Sequence, residues 1–141
     1  MNPQLALLLA SLILPLSALA ATGTVYKNPQ CGCCTAWAEH LAKNGVSLKV
    51  EPRDDLAAVR AKLGVPADLG GCHTAKIDGY VFEGHVPADL VKKVLKGKPA
   101  IAGLAVPGMP AGSPGMEGPT KVSYPVIAFD RQGKRRVYAT R

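Results

Sequence analysis

All four cysteines of the chain fall in two places: Cys31-Gly32-Cys33-Cys34, and Cys72, which His73 follows at once. Four cysteines in 141 residues are too few to hold a disulfide scaffold together, so the fold must rest on a hydrophobic core. The chain is 48% apolar, which suits such a core and excludes a disordered polar chain. A length of 141 residues fits one domain. Whatever that domain is, it must carry three thiols within four residues at one point of its surface or core.

The N-terminus reads as a leader rather than as part of the fold. Residues 1–21 carry no charged side chain, and Leu5–Leu16 is almost wholly apolar. That run is shorter than the ~20 residues needed to span a ~30 Å hydrocarbon core. Ala18-Leu19-Ala20 then supplies the small-x-small pattern read by signal peptidase. The expectation is a secretory signal over 1–20, cleaved after Ala20, with residues 21–141 forming a single exported domain in the periplasm. The n-region Met1-Asn2-Pro3-Gln4 lacks Lys and Arg, which departs from the usual pattern. No second long apolar run follows, so no stable membrane insertion is expected after cleavage.

Export bears on the net charge of +7, which would otherwise suggest nucleic acid as a partner. From residue 121 onward, six basic side chains face only Asp130, which accounts for +5 of that charge. No aromatic interleaving or recognition helix accompanies them. A solvated basic edge is the expectation, with no nucleic acid partner.

Thr24-Val25-Tyr26 reads as a strand, broken by Asn28-Pro29-Gln30. A helix is expected from about Cys33 to Asn44, since Cys34, Trp37, Ala38 and Leu41 fall on one face and Gly45 stops it. Val46–Val50 alternates as a strand and closes a βαβ unit. Asp54 or Asp55 caps a second helix that buries Leu56, Val59 and Leu63. Thr74–Ile77 and Tyr80–Glu83 flank Asp78-Gly79, a two-residue hairpin signal. Pro87 is expected at the first position of a third helix, which Gly97 ends. Residues 97–119 contain eleven Gly or Pro among 23 and read as one long functional loop holding Met109 and Met116. Tyr124–Asp130 and Arg135–Thr140 read as a terminal hairpin. The resulting class is α/β: a thioredoxin-like mixed sheet flanked by helices, with an added Gly/Pro-rich loop and C-terminal hairpin.

The C-x-x-C pair Cys31 and Cys34 lies where a strand meets its helix. Free N–H groups and partial positive charge at a helix N-terminus stabilise a thiolate there. A thiolate is both a disulfide-exchange nucleophile and a metal ligand. The additional thiols of Cys33 and Cys72 favour soft-metal binding, because a simple dithiol enzyme needs only two. In the assumed topology the loop before the third strand faces the motif, and the fourth strand ends at His85 on the same edge. Cys31, Cys33, Cys34, Cys72, His73 and His85 would then converge. Met109 and Met116 sit in Pro-Gly-Met settings poor in core periodicity and add thioethers. Thioethers favour copper over zinc, and the adjacent pair Cys72-His73 is awkward for closing a tetrahedral zinc site. His40 lies about 10 Å along the helix from Cys33 and reads as a surface residue.

Several segments together resemble the CopG-like family, a domain of unknown function numbered 411. They are Tyr26-Lys27-Asn28-Pro29-Gln30-Cys31-Gly32-Cys33-Cys34, Gly71-Cys72-His73-Thr74-Ala75 and the run Asp78–Pro87. Gly103–Pro110 and Gly112–Glu117 fit as well, so the resemblance covers essentially the whole of residues 21–141. It implies an exported, thioredoxin-like metal-binding protein associated with copper resistance.

The sequence thus points to a periplasmic copper-binding protein in copper homeostasis or resistance, with Cu(I) on Cys31, Cys33, Cys34 and Cys72. His73, His85, Met109 and Met116 would complete or gate the site, and more than one copper ion fits the donor count. Copper ions and other periplasmic copper-handling proteins are the expected partners. Thiolates beside copper exchange electrons with it, so copper redox activity falls within this expectation. The alternative is a thiol–disulfide oxidoreductase in which Cys31 attacks and Cys34 resolves. Against it, thioredoxin-like enzymes usually carry a proline facing the motif, where this chain has Cys72-His73.

Overall fold

The structure, a computed structural model, describes residues 21–141; the expected leader over 1–20 lies outside the described residues. The chain runs β1 (Ala21–Lys27), α1 (Gly32–Lys43), β2 (Val46–Pro52) and α2 (Leu56–Leu63), followed by a 3-10 turn at Ala67–Leu69. The hairpin β3 (His73–Ile77) and β4 (Tyr80–Glu83) comes next, then α3 (Ala88–Gly97). Three more strands complete it: β5 (Gly103–Ala105), β6 (Pro125–Phe129) and β7 (Arg135–Thr140).

All seven strands join one mixed sheet in the order β2-β1-β3-β4-β5-β6-β7. β1 and β2 run parallel, as the βαβ reading requires, and β3 returns antiparallel to β1. Strand alternation sorts the side chains by face. Val25, Ala75, Phe82, Leu104 and Ala128 stand opposite one another across five strands and are all buried. They meet Trp37 and Leu41 of α1 and Leu90, Val91 and Val94 of α3 in the main core. On the opposite face a smaller cluster joins Val81, Ala105 and Phe129 to Val65 and Leu69, beside α2.

The local expectations are met where the signal is local. Cys34, Trp37, Ala38 and Leu41 form the buried face of α1. Asp78 and Gly79 both take positive φ (48° and 82°), the backbone of a two-residue hairpin turn whose twist matches the flanking strands. In α2 only Val59 is buried, while Leu56 and Leu63 are half-buried.

Two helix-end details differ. Pro87 caps α3 from outside rather than occupying its first turn, with extended backbone (φ −60°, ψ 141°). The left-handed residue that ends α3 is Lys98 (φ 46°), not Gly97. Lys98 precedes Pro99, whose ring disfavours helical backbone in the residue before it, so the helix stops there.

The Gly/Pro-rich stretch is not one loop. Gly103–Ala105 is a buried strand that pairs parallel with β4 and antiparallel with β6. Its hydrogen bonds come from its neighbours, which is why local composition conceals it. β7 forms the sheet edge with Arg135 and Arg136 exposed. Arg135 pairs with Asp68, and Arg141 with Asp89 at 2.5 Å. Among the described residues, no helix is long and apolar enough to cross a membrane.

Candidate metal centre

β1 delivers the chain into a tight turn. Asn28 accepts the Cys31 N–H on its carbonyl at 3.0 Å, and its side-chain Oδ1 accepts the Gln30 N–H at 3.0 Å. Cys31 is the N-cap residue of α1, with extended backbone and no side-chain capping bond. Cys33 and Cys34 therefore lie in the first helical turn, among backbone N–H groups that lack intrahelical partners. Cys34 points into the core and Cys33 is half-buried.

Cys31 and Cys34 form a disulfide with their Cα atoms 5.5 Å apart, while Cys33 and Cys72 are free. Cys33 Sγ lies 3.4 Å from Cys31 Sγ and 3.9 Å from Cys72 Sγ. Cys34 Sγ is 3.7 Å from the Cys72 carbonyl oxygen. All four sulfurs fall within 4.8 Å of one another, so the fold joins two segments separated by 38 to 41 residues. Burial, reinforced by the neighbouring Cys33, pushes the Cys72 thiol up to about 12. A bound metal ion would have to displace that proton.

The imidazoles form a second donor pair, outside the four-sulfur group; His73 follows Cys72 in the chain, and Gly115 packs against both the Cys33 carbonyl and His85. His73 opens β3 and is fully buried, its ring 4.3 Å from that of Trp37 and 5.2 Å from that of His85. Neither ring nitrogen of His73 has a hydrogen-bond partner among the described residues. His85 Nδ1 lies 2.7 Å from the Pro114 carbonyl. A carbonyl only accepts, so Nδ1 carries the proton and the lone pair falls on Nε2, which is buried without a partner among the described residues. Burial, aided by the neighbouring His85, pushes His73 down to about 3. Burial also lowers His85, against the Pro114 carbonyl, which favours its charged form. Both shifts favour the neutral ring, the form in which imidazole binds a metal.

The methionines divide. Residues 112–116 form a compact loop closed by Gly112 N–H to the Met116 carbonyl (2.9 Å) and Met116 N–H to the Ser113 carbonyl (2.8 Å). Gly115 has φ +91°, and a Cβ there would sit 2.7 Å from the Cys33 carbonyl oxygen and 3.2 Å from His85 Nδ1. Gly115 is thus packed against Cys33 and His85, and Met116 follows it in the chain, half-buried. Met109 is 54% exposed on a neighbouring turn.

His40 is not a simple surface residue. It is half-buried, and its Nε2 accepts the Ala88 N–H at 3.2 Å, satisfying a donor at the start of α3. Sequence reasoning also passed over Glu83. Its side chain is fully buried and paired with Arg60 at 2.6 Å, directly behind the Cys72 segment. The available signal is a lone carboxylate ending the otherwise uncharged strand Tyr80-Val81-Phe82-Glu83.

Residues 69–116 match a family model described as a protein of unknown function, DUF411. No curated protein matches significantly. Among solved structures, "Copper resistance protein copG- Form 2" is similar with a TM-score of 0.83 and 42% sequence identity, over 87% of this chain and 99% of that one. The corresponding Form 1 gives 0.82 and 42%, over 87% of this chain and 98% of that one. With that identity running along nearly the full length of those copper resistance proteins, the chain belongs to the CopG-like DUF411 family.

Proposed function

We propose that this chain is a periplasmic, thioredoxin-like copper-binding protein that holds Cu(I) in copper homeostasis or resistance. The observation that carries this reading is the convergence of four cysteine sulfurs, together with two buried imidazoles in which both nitrogens of His73 and Nε2 of His85 lack partners among the described residues. Buried polar atoms are rarely left unpaired in folded proteins, so these three orphaned nitrogens mark a site short of a ligand. Thiolate, neutral imidazole and thioether are soft to borderline donors suited to Cu(I). The thiols alone suit zinc as well; the name of the similar structures, copper resistance protein, weighs towards copper.

Cys31, Cys33, Cys34 and Cys72 are the proposed thiolate ligands, with His73, His85 and Met116 completing the site and Met109 at its entrance. Two adjacent donor sets favour more than one ion. Two of the four sulfurs form a disulfide in the structure, so full loading requires its reduction. Two electrons and two protons convert it to two thiols, and each thiol that becomes a copper ligand releases its proton. The order β2-β1-β3-β4, with α1 and α3 sharing one core, supports the thioredoxin-like reading of residues 21–97, to which β5, β6 and β7 are additions. The leader over 1–20 and delivery of copper by other periplasmic proteins belong to the same proposal.

The second reading, a thiol–disulfide oxidoreductase, is favoured by one observation: the Cys31–Cys34 disulfide at the N-terminus of α1. Anaerobic Cu(I) titration of reduced protein comprising residues 21–141, with metal analysis after desalting, separates the two. Retained copper that is lost in Cys34→Ser, and far less affected in His40→Ala, supports the copper site. No retained copper, together with reduction of a test disulfide that disappears in Cys31→Ser, would move the assignment to the oxidoreductase.

A further inference from the structure

The copper site as proposed makes no use of the charged pair behind Cys72. Glu83 is fully buried, and three groups donate to it. Its Oε1 accepts Arg60 Nε at 2.6 Å and the Gly71 N–H at 2.8 Å, and its Oε2 accepts Thr74 Oγ1 at 2.5 Å. Arg60 Nη2 also donates to the Gly71 carbonyl at 2.5 Å. Both backbone groups of Gly71 and the hydroxyl of Thr74 are thus fixed by one carboxylate–guanidinium pair. Those residues bracket Cys72, one position before it and two after.

Cys72 lies outside β3, which begins at His73, so no strand ladder sets its position. Desolvating two opposite charges costs about as much as their attraction returns, and well-packed apolar residues often stabilise a fold equally well. Such a pair at this place therefore calls for a role beyond tying α2 to the sheet. Resting on the copper reading above, we infer that Arg60 and Glu83 are positioning residues that hold Cys72 Sγ at its place among the metal-binding sulfurs. They touch no metal themselves. They act through the Gly71–Thr74 backbone, as outer-sphere partners commonly orient ligands.

The test is a double-mutant cycle on the reduced protein, with Cu(I) affinity read by competition against a chromophoric Cu(I) chelator. Arg60→Lys keeps the charge but cannot reach Glu83 and the Gly71 carbonyl together, because it lacks the planar fork. Arg60→Lys is expected to weaken Cu(I) binding about tenfold or more, the usual scale for outer-sphere partners. In a Cys72→Ser background the same change should cost nothing further. Equal losses in both backgrounds, or no loss in either, would overturn the inference. Glu83→Gln, which keeps the shape and removes the charge facing Arg60, serves should Arg60→Lys fail to fold.

A copper-free readout separates this inference from the copper reading. In the disulfide form, iodoacetamide can modify only Cys33 and Cys72, and peptide mapping gives the ratio of their rates. Arg60→Lys should shift that ratio several-fold towards Cys72, whereas an unchanged ratio overturns the clamp. A shifted ratio in a protein that retains no copper would uphold the positioning role while removing the copper reading.

Discussion

At the scale of single residues, His73 is the sharpest probe of the centre. Its ring is buried against Trp37, yet neither nitrogen makes a hydrogen bond among the described residues. A histidine kept for packing gains nothing from its nitrogens here, and burying them unpaired costs about 1–3 kcal/mol each. His73→Phe replaces the ring with one of similar shape and removes that cost. Crowding by the larger six-membered ring offsets most of that gain, so the apo protein is expected to be as stable as the parent or about 1 kcal/mol more so, measured by urea unfolding. Copper retention should fall in the same variant. A large loss of apo stability would mean that the imidazole serves the core instead. The Cys31–Cys34 cluster was legible from spacing at a helix start, and its meeting with Cys72 followed from the assumed strand order. Glu83 was not legible, because its partners come from α2, from the Gly71 turn and from β3, which only the folded chain brings together.

At the scale of elements, α1 carries two tasks on one helix. Its first turn presents the cysteines, and its last turn carries His40 to the start of α3, where Nε2 accepts the Ala88 N–H. Pro87 has no capping side chain, so this distant imidazole replaces a local cap. His40→Ala is expected to cost about 1 kcal/mol, as for loss of a helix cap, with the copper content of the reduced protein unchanged. Urea unfolding and metal analysis on one preparation check both halves, and a fall in copper content would draw His40 into the site. Elements with a local signature were readable in advance: the buried stripe of α1, the Asp78-Gly79 turn and the alternation of β2. β5 was hidden, since three residues among prolines and glycines become a strand only when β4 and β6 lie on either side. That strand shortens the expected loop to the part after Ala105, which includes Gly115 against Cys33 and His85.

At the scale of the whole molecule, the seven-stranded sheet brings the α1 turn and the Cys72 segment to one end of adjacent strands. At the far edge of that sheet, the exposed Arg135 and Arg136 of β7 line a strand that would otherwise invite pairing. Cys33 and Cys72 are 39 residues apart in sequence, and their sulfurs 3.9 Å apart in space. An ion held between them is a cross-link as well as a cargo. A ligand that favours the folded chain stabilises it by about 2.7 kcal/mol at a hundred times its Kd, less whatever affinity the unfolded thiols retain. The reduced protein should therefore melt higher with Cu(I) than without, and Cys72→Ser should remove most of the difference. Loading and rigidity are then one event. When copper leaves, residues 31–34 and 71–74 are expected to be the first segments to quicken in hydrogen exchange, so that release loosens the doorway through which the next ion must enter.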